Sequence, residues 1–238
     1  MTIFKPSFGV DADELEFGDK VPIDWDFEHQ HHVLVCGKTG SGKTMAVKSI
    51  LSEVALSVPQ AQVLVCDYKA DDFKFLNGCK RYYSFDKCFD GLMCFYNMFK
   101  KRQSGEDPTR NFRLLLFDEW ASWLTSLEKK EAEEAKKILS ILLMLGRSFN
   151  VHVLISQQRA DAKYFDTARD NFSVILALGN LSRESVQMFF SEYKDEMRND
   201  KGRGTGHILL DDIGLKHIII PQIRDINKLH NCIYQLVN

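Results

Sequence analysis

Residues 37–44 of this 238-residue chain match a pattern that binds phosphate groups. They are a glycine, four residues, a second glycine, a lysine and a threonine. An apolar run precedes them at residues 32–36 and apolar side chains at helical spacing follow at residues 45–57, so the sequence predicts a strand, a loop and a helix. Unpaired N–H groups and the positive end of the helix dipole meet at such a loop, where they can bind a triphosphate.

Two side chains of this loop are predicted to act on a bound nucleotide. Lys43 is expected to reach the β and γ phosphates of ATP, and the Thr44 hydroxyl is expected to bind Mg2+. The predicted ATP-binding residues are Gly37, Lys38, Thr39, Gly40, Ser41, Gly42, Lys43 and Thr44. The alternative is a glycine-rich turn that binds nothing, but strand, loop and helix all fall where phosphate binding needs them.

A pair of carboxylates follows a second apolar run. Residues 114–117 are Leu-Leu-Leu-Phe, and Asp118 and Glu119 come directly after them. Because parallel sheets bind ligands at the carboxyl ends of their strands, Asp118 is predicted to hold Mg2+ close to the phosphate loop. Glu119 is predicted to accept a proton from an attacking water, which hydrolysis requires and nucleotide binding alone does not. The alternative is a helix N-cap with a charged first turn, which is common for an acidic pair.

The order of the remaining segments indicates what holds these residues in place. Further strands are predicted at residues 61–67, 112–117, 151–156 and 172–178, and helices at 86–102, 128–146 and 182–190. Strands that alternate with helices imply an α/β fold with a mostly parallel sheet flanked by helices. Residues 8–25 predict an N-terminal β-hairpin. We expect residues 1–30 to form a hairpin extension and residues 31–238 to form the main domain, in one compact unit.

Composition restricts the class of protein. Hydrophobic residues make up 45% of the chain, enough for a full core, and a net charge of -2 argues against a surface that is basic throughout. No stretch approaches the ~20 apolar residues that cross a bilayer, and no cleavable signal opens the chain. The six cysteines include no Cys-x-x-Cys pair, as is typical of reduced thiols. We therefore expect a cytoplasmic protein without direct membrane insertion.

The order of the motifs resembles a known family. A phosphate loop, a strand ending in Asp-Glu, a helix ending near Arg147 and a strand closed by Gln158 and Arg159 follow one another. This order is similar to that of the FtsK and HerA superfamily of hexameric DNA-pumping ATPases, and most similar to the FtsK and SpoIIIE branch. Residues 8–24 look like the hairpin that precedes that family's phosphate loop, and residues 202–210 look like its closing Gly-rich segment.

The resemblance implies a RecA-like P-loop NTPase and roles for further residues. Gln158 matches the family's polar sensor of the γ phosphate, and Arg147 matches the arginine offered into the neighbouring subunit's site. Arg183 is a second candidate for that arginine. A site shared in this way implies a homo-oligomeric ring, which we expect to be a hexamer. On residue type alone, an arginine near a helix end more often pairs with the helix dipole, and a glutamine at a strand end more often caps a loop.

The same resemblance places DNA contacts in the loop after Gln158. Arg159, Lys163 and Arg169 are each able to pair with a DNA phosphate, independently of base sequence. Aspartates in the same stretch support the alternative of a solvated loop with balanced charge, and the family usually carries proline where Ala160 stands. A second and weaker basic candidate comprises Lys194, Arg198, Lys201 and Arg203.

The sequence thus predicts an ATPase that uses Mg2+ and moves DNA, with duplex DNA favoured over single strands. No membrane span or winged-helix module of full-length FtsK-branch proteins is visible, so we expect a compact motor of a plasmid, conjugative element or virus. A membrane protein, a relaxase or an initiator could recruit it. Two alternatives stay open, a related ring ATPase that drives protein secretion or pilus assembly and an ATP-binding switch that recruits a partner. Glu119 argues against the switch, which needs only slow turnover.

Overall fold

One mixed sheet organises the computed structural model, which describes residues 5–158, 162–198 and 202–238. Its strands are β1 (Ser7–Asp11), β2 (Pro22–Asp24), β3 (His32–Gly37), β4 (Gln62–Asp67), β5 (Tyr82–Ser84), β6 (Arg113–Asp118), β7 (Val151–Gln157), β8 (Val174–Leu178), β9 (Thr205–Leu210) and β10 (Gly214–Ile219). The α-helices are α1 (Ala12–Glu16), α2 (Lys43–Ser57), α3 (Cys88–Gln103), α4 (Trp120–Ser126), α5 (Lys129–Leu145), α6 (Arg183–Phe189) and α7 (Ile226–Val237).

The strand order is β2-β1-β10-β9-β8-β3-β7-β6-β4-β5. The strands from β8 to β5 in this order run parallel, which confirms the predicted α/β fold with a mostly parallel sheet. Strands β9, β10, β1 and β2 extend the sheet with antiparallel pairs. The predicted N-terminal hairpin is the β1–β2 pair, with α1 in its connection, and it continues the main sheet because β1 pairs with β10.

The helices cover both faces of the parallel strands. Apolar side chains of α2 and α7 pack on one face, and those of α3, α4 and α5 pack on the other. Strands β3 and β7 are buried along their whole length, as expected for parallel strands covered on both sides. In the described part of the chain, no helix combines the length and the apolarity needed to span a membrane.

The carboxyl ends of the parallel strands meet at one edge of the sheet. Asp67, Asp118 and Ser156 lie side by side there, as register partners on β4, β6 and β7. Strand β3 runs parallel to β7, so the loop from β3 to α2 leaves from the same edge. The turn at Gly146–Phe149 leads into β7 and therefore lies at the opposite edge.

Candidate active site

The loop between β3 and α2 contains three glycines in conformations that other residues rarely adopt. Their φ angles are 155° at Gly37, 84° at Gly40 and 103° at Gly42. A Cβ on Gly37 would lie 2.5 Å from the carbonyl oxygen of Leu178, and one on Gly42 would lie 3.0 Å from the backbone nitrogen of Gly204. Glycine is therefore required here both for the turn and for the close approach of two neighbouring segments.

The N-terminus of α2 is open toward this loop. Gly42 is the N-cap and no side chain caps the helix, so N–H groups of the first turn are available to a ligand. The helix dipole adds positive potential at the same point. The loop is fixed from the other side, because Gly204 N–H donates to the carbonyl oxygen of Ser41 at 2.8 Å. The result is a rigid, amide-lined cradle suited to an anion.

Two side chains at the start of α2 face the acidic edge of the sheet. Lys43 Nζ donates to the Gly37 carbonyl oxygen at 2.8 Å. Burial lowers the pKa of Lys43, while the carboxylates of Glu119 and Asp118 raise it. The next residue, Thr44, donates its hydroxyl to Asp72 Oδ2 at 3.1 Å.

Asp118 is a buried carboxylate surrounded by others. It is 4% exposed, and its Oδ2 atom has no hydrogen-bond partner among residues 5–158, 162–198 and 202–238. Burial raises the pKa of Asp118 to about 7; the Ser156 hydroxyl lowers it, and the nearby Glu119, Asp67 and Asp72 raise it further. A buried carboxylate oxygen without a donor, next to further acids, fits a bound divalent cation, and hard oxygen ligands suit Mg2+.

Glu119 is held in one orientation by its backbone. Its φ and ψ are 59° and 42°, a left-handed conformation that is unusual for glutamate, and its N–H donates to the Ser156 carbonyl oxygen at 2.7 Å. Lys69, in the turn after β4, donates to Glu119 Oε1 at 2.7 Å. Ser122 places its hydroxyl 3.4 Å from Glu119 Oε2. Sequence reasoning missed Lys69, although it follows the strand-end Asp67 by two residues.

One cleft of about 360 Å³ is lined by the lysines, the threonine and the acids described above, namely Lys43, Thr44, Lys69, Asp72, Asp118 and Glu119. Gln158 reaches it from the end of β7, and Arg203 reaches it from the Gly-rich segment before β9. A second cavity of about 500 Å³ also has Arg203 in its wall, together with Met45, Ile220 and Ile223. Since both cavities also share Gly42, they adjoin each other at the start of α2.

The two candidate arginines lie away from this cleft. Arg147 is exposed in the turn before β7, at the opposite edge of the sheet. Because β7 has 7 residues at ~3.3 Å each, Arg147 is on the order of 20 Å from the cleft of its own chain. Arg183 opens α6 and lines a larger cavity of about 970 Å³ with Arg169 and Lys194. Neither candidate arginine is among the described residues that line the cleft of about 360 Å³.

The predicted DNA-contact residues are only partly described. Arg159 lies outside the described residues. Lys163 is exposed with its Nζ 4.9 Å from the centre of the Tyr164 ring, and Arg169 donates to Asp170 at 3.1 Å. DNA contacts at Arg159, Lys163 and Arg169 stay a prediction.

The second basic candidate is only partly described. Arg198 pairs with Asp13 at 3.3 Å and Glu16 at 3.6 Å, so its charge is balanced by the N-terminal hairpin. Lys201 lies outside the described residues. Arg203 belongs to the cleft at the start of α2. A basic surface at these residues stays a prediction.

Comparison with known proteins by sequence gives two matches. The family model described as "Helicase HerA, central domain" matches residues 16–211. The Ftsk domain-containing protein YdcQ of Bacillus subtilis (strain 168) is 32% identical over an alignment of 205 residues, and the match covers 78% of this chain and 42% of YdcQ. The chain therefore spans less than half of the length of that relative.

Among the solved structures that share the fold are a conjugation coupling protein, a secretion ATPase and a DNA-packaging ATPase. The pCW3 conjugation coupling protein TcpA, in monomer form with ATPγS, has a TM-score of 0.72 at 19% identity, covering 98% of this chain and 71% of TcpA. The cytoplasmic domain of the type VII secretion ATPase EccC of Thermomonospora curvata has a TM-score of 0.70 at 18% identity, covering 97% of this chain and 30% of that one. B204, the DNA-packaging ATPase of Sulfolobus Turreted Icosahedral Virus, has a TM-score of 0.57 at 12% identity, covering 82% and 100%.

Proposed function

Because the chain belongs to the HerA central-domain family, within the FtsK and HerA superfamily, we propose that it is a motor that couples Mg2+-dependent ATP hydrolysis to movement of DNA. One observation carries the hydrolytic part. Lys43, Asp118 and Glu119, from the two separate sequence motifs, line the same cleft beside an uncapped helix N-terminus. In this proposal residues 31–238 are the motor domain and residues 1–30 are a hairpin extension of it.

The residues around Asp118 fit a magnesium ion. Thr44 and Asp118 would hold it, since both line the cleft and Asp118 Oδ2 is a buried oxygen without a described donor. Bound Mg2+ would neutralise charge on the phosphate oxygens. Thr44 would give up its hydrogen bond to Asp72 for this role.

The side chains of the chain itself supply the remaining steps. Lys43 moves its ammonium from the Gly37 carbonyl oxygen to the β and γ phosphates, where it stabilises the charge of the transferring group. Gln158 orients the attacking water from the end of β7. Glu119 accepts one proton from that water. The water oxygen bonds to the γ phosphorus, and the bond between the γ phosphorus and the β-phosphate oxygen breaks, so that ADP leaves.

The adjoining cavity fits the nucleoside. Its walls include the apolar side chains of Met45, Ile220 and Ile223, and its volume of about 500 Å³ is enough for a base and a ribose. With phosphates on the loop at Gly42, the nucleoside would lie toward Ile220. ATP would therefore lie across both cavities.

The choice of DNA as the cargo rests on the family and on two of the compared proteins. TcpA is a conjugation coupling protein and B204 is a DNA-packaging ATPase. EccC, a secretion ATPase, keeps the transport of proteins as the second candidate function. A homo-oligomeric ring, expected to be a hexamer, would let Arg147 of one copy complete the site of the next, since Arg147 is too far from its own.

Turnover of ATP with and without DNA tests this proposal. We expect ATP hydrolysis to rise severalfold with long double-stranded DNA at low salt, to rise less with single strands, and to lose the stimulation at moderate salt. Heparin serves as a polyanion control, and K43A serves as the variant without a functional phosphate loop. Hydrolysis that ignores both DNA forms would favour the secretion ATPase. Tight ATP binding with no turnover under any condition would favour the nucleotide switch.

A further inference from the structure

Lys69 and Glu119 form a close ion pair inside the cleft, and their side chains differ in solvent exposure. Lys69 Nζ lies 2.7 Å from Glu119 Oε1, with the lysine side chain 43% exposed and the glutamate side chain 6% exposed. The Glu119 backbone N–H also donates to the Ser156 carbonyl oxygen, which anchors the backbone of this residue. Because its side chain is the more exposed of the two, Lys69 is the partner that can leave the pair.

This pair opposes the proposed role of Glu119. A general base must accept a proton from water at a free lone pair, within hydrogen-bond distance. In the structure the ammonium of Lys69 takes one lone pair of Oε1 and balances the charge of the carboxylate, and the Ser122 hydroxyl lies near Oε2. Departure of Lys69 therefore frees Oε1 for the attacking water and leaves the carboxylate its full negative charge.

The surroundings of Lys69 indicate where it can go. It lines the same cleft as Lys43 and Gln158, so its ammonium already faces the space proposed for the γ phosphate. Burial lowers the pKa of Lys69, but its hydrogen bond to Glu119 and the charges of Glu119, Asp118 and Asp72 raise it, so it remains a cation. A γ phosphate carries more negative charge than one carboxylate and competes for this cation.

We propose that Lys69 blocks Glu119 in the nucleotide-free protein and transfers to the γ phosphate when ATP binds, which releases Glu119 to act as the base. The proposal rests on the ATPase function above and adds a catalytic residue to it. ADP lacks the γ phosphate and leaves the Lys69–Glu119 pair intact. Glu119 is thereby released only in a site that holds ATP.

Binding of ATPγS and of ADP, measured by calorimetry with Mg2+, tests the transfer in a double-mutant cycle of K69M and E119Q. We expect K69M to weaken ATPγS binding about tenfold and to leave ADP binding within about twofold. We expect E119Q to tighten ATPγS binding about tenfold, because Lys69 no longer has to leave a carboxylate. That gain should be smaller in the K69M background, where only the repulsion between Glu119 and the phosphate is removed.

If Lys69 stays on Glu119 when ATPγS binds, the effect of K69M on the E119Q gain has the opposite sign. Removing it would then unmask the carboxylate, so E119Q would gain as much or more in the K69M background, and this result would overturn the transfer. Equal losses of ATPγS and ADP affinity in K69M would also overturn it. K74M is the matched control, because Lys74 pairs with Asp71 on the exposed side of the same turn. A wild-type chain that binds no ATPγS would refute the ATPase function itself, which separates the two failures.

Discussion

The two ends of strand β7 differ in what they offer to a ligand. At its carboxyl end, Gln158 enters a cleft that also holds a phosphate-loop lysine and two buried carboxylates. At its amino end, Arg147 is exposed in a short turn, and it follows the exposed apolar residues Met144 (55%) and Leu145 (43%). Neither Arg147 nor Arg183 lines the cleft at the carboxyl end, whereas the amino end presents Arg147 beside exposed apolar residues.

This difference is what a shared site between copies requires. A cation that cannot reach the phosphates bound by its own chain gains a function when another copy brings a phosphate to it. Exposed apolar residues next to that cation are typical of a contact surface. We therefore expect the carboxyl-end residues to act within a chain and Arg147 to act between chains, and this division can be tested variant by variant.

The largest effect is expected at the carboxyl end. K43A should lower kcat/KM for ATP by roughly 10⁴-fold, because the lysine contributes both to binding and to charge stabilisation. Steady-state phosphate release and nucleotide calorimetry measure the two parts. K38A is the matched control, since Lys38 is exposed on the same loop and is not among the described residues that line the cleft, and it should stay within a fewfold of wild type. Similar losses in both variants would contradict a special role for Lys43.

The amino end should respond differently. R147A is expected to bind ATPγS like wild type but to lose turnover by roughly 10³-fold, as for other arginines that stabilise a transferring phosphoryl group. Mixing R147A with K43A should restore part of the turnover, because some interfaces then combine an intact loop with an intact arginine. R183A, treated in the same way, decides between the two candidates. No restoration with either arginine variant would remove the support for a shared site.

The phosphate loop and the acidic pair could be predicted because each is contiguous in sequence. Their chemistry needs neighbouring residues after a buried strand, and the α/β order places both strands at one edge of the sheet. Lys69 and Arg203 could not be found in this way, since each reaches the cleft from a separate loop whose position depends on the pairing of β4 with β6 and on the Gly204–Ser41 hydrogen bond. Residue type alone does not separate Gln157, which is buried, from Gln158, which lines the cleft, and it was the family resemblance that selected Gln158.

Local rules also gave an incomplete account of some elements. Gly146 is the C-cap of α5, at the end of the helix predicted for residues 128–146, but its φ of -57° needs no glycine. A Cβ there would lie 2.5 Å from the Val151 carbonyl oxygen, so close packing explains the residue, and the left-handed turn falls at Asn150 instead. Helices α1, α4 and α7 went unpredicted. Trp120 begins α4 directly after the acidic pair, where burial in the core outweighs any loop signal.

The smallest expected effect concerns stability, and it also separates the two ends of β7. Burial raises the pKa of Asp118 to about 7, above its ordinary value of 3.8, so the folded protein binds a proton that the unfolded chain has lost between these values. Stability should therefore fall as pH rises from about 4 to about 7, by an amount on the order of a few kcal/mol.

D118N removes this penalty, so its melting temperature in the absence of nucleotide should exceed that of wild type by several degrees at pH 8 and by less at pH 5. Differential scanning calorimetry at the two pH values measures the change. R147A is the control at the other end of β7, and its difference from wild type should not grow with pH. If the D118N advantage is equal at pH 5 and pH 8, Asp118 is ionised throughout this range. The buried Oδ2 atom of Asp118 would then need an explanation other than a site for a cation.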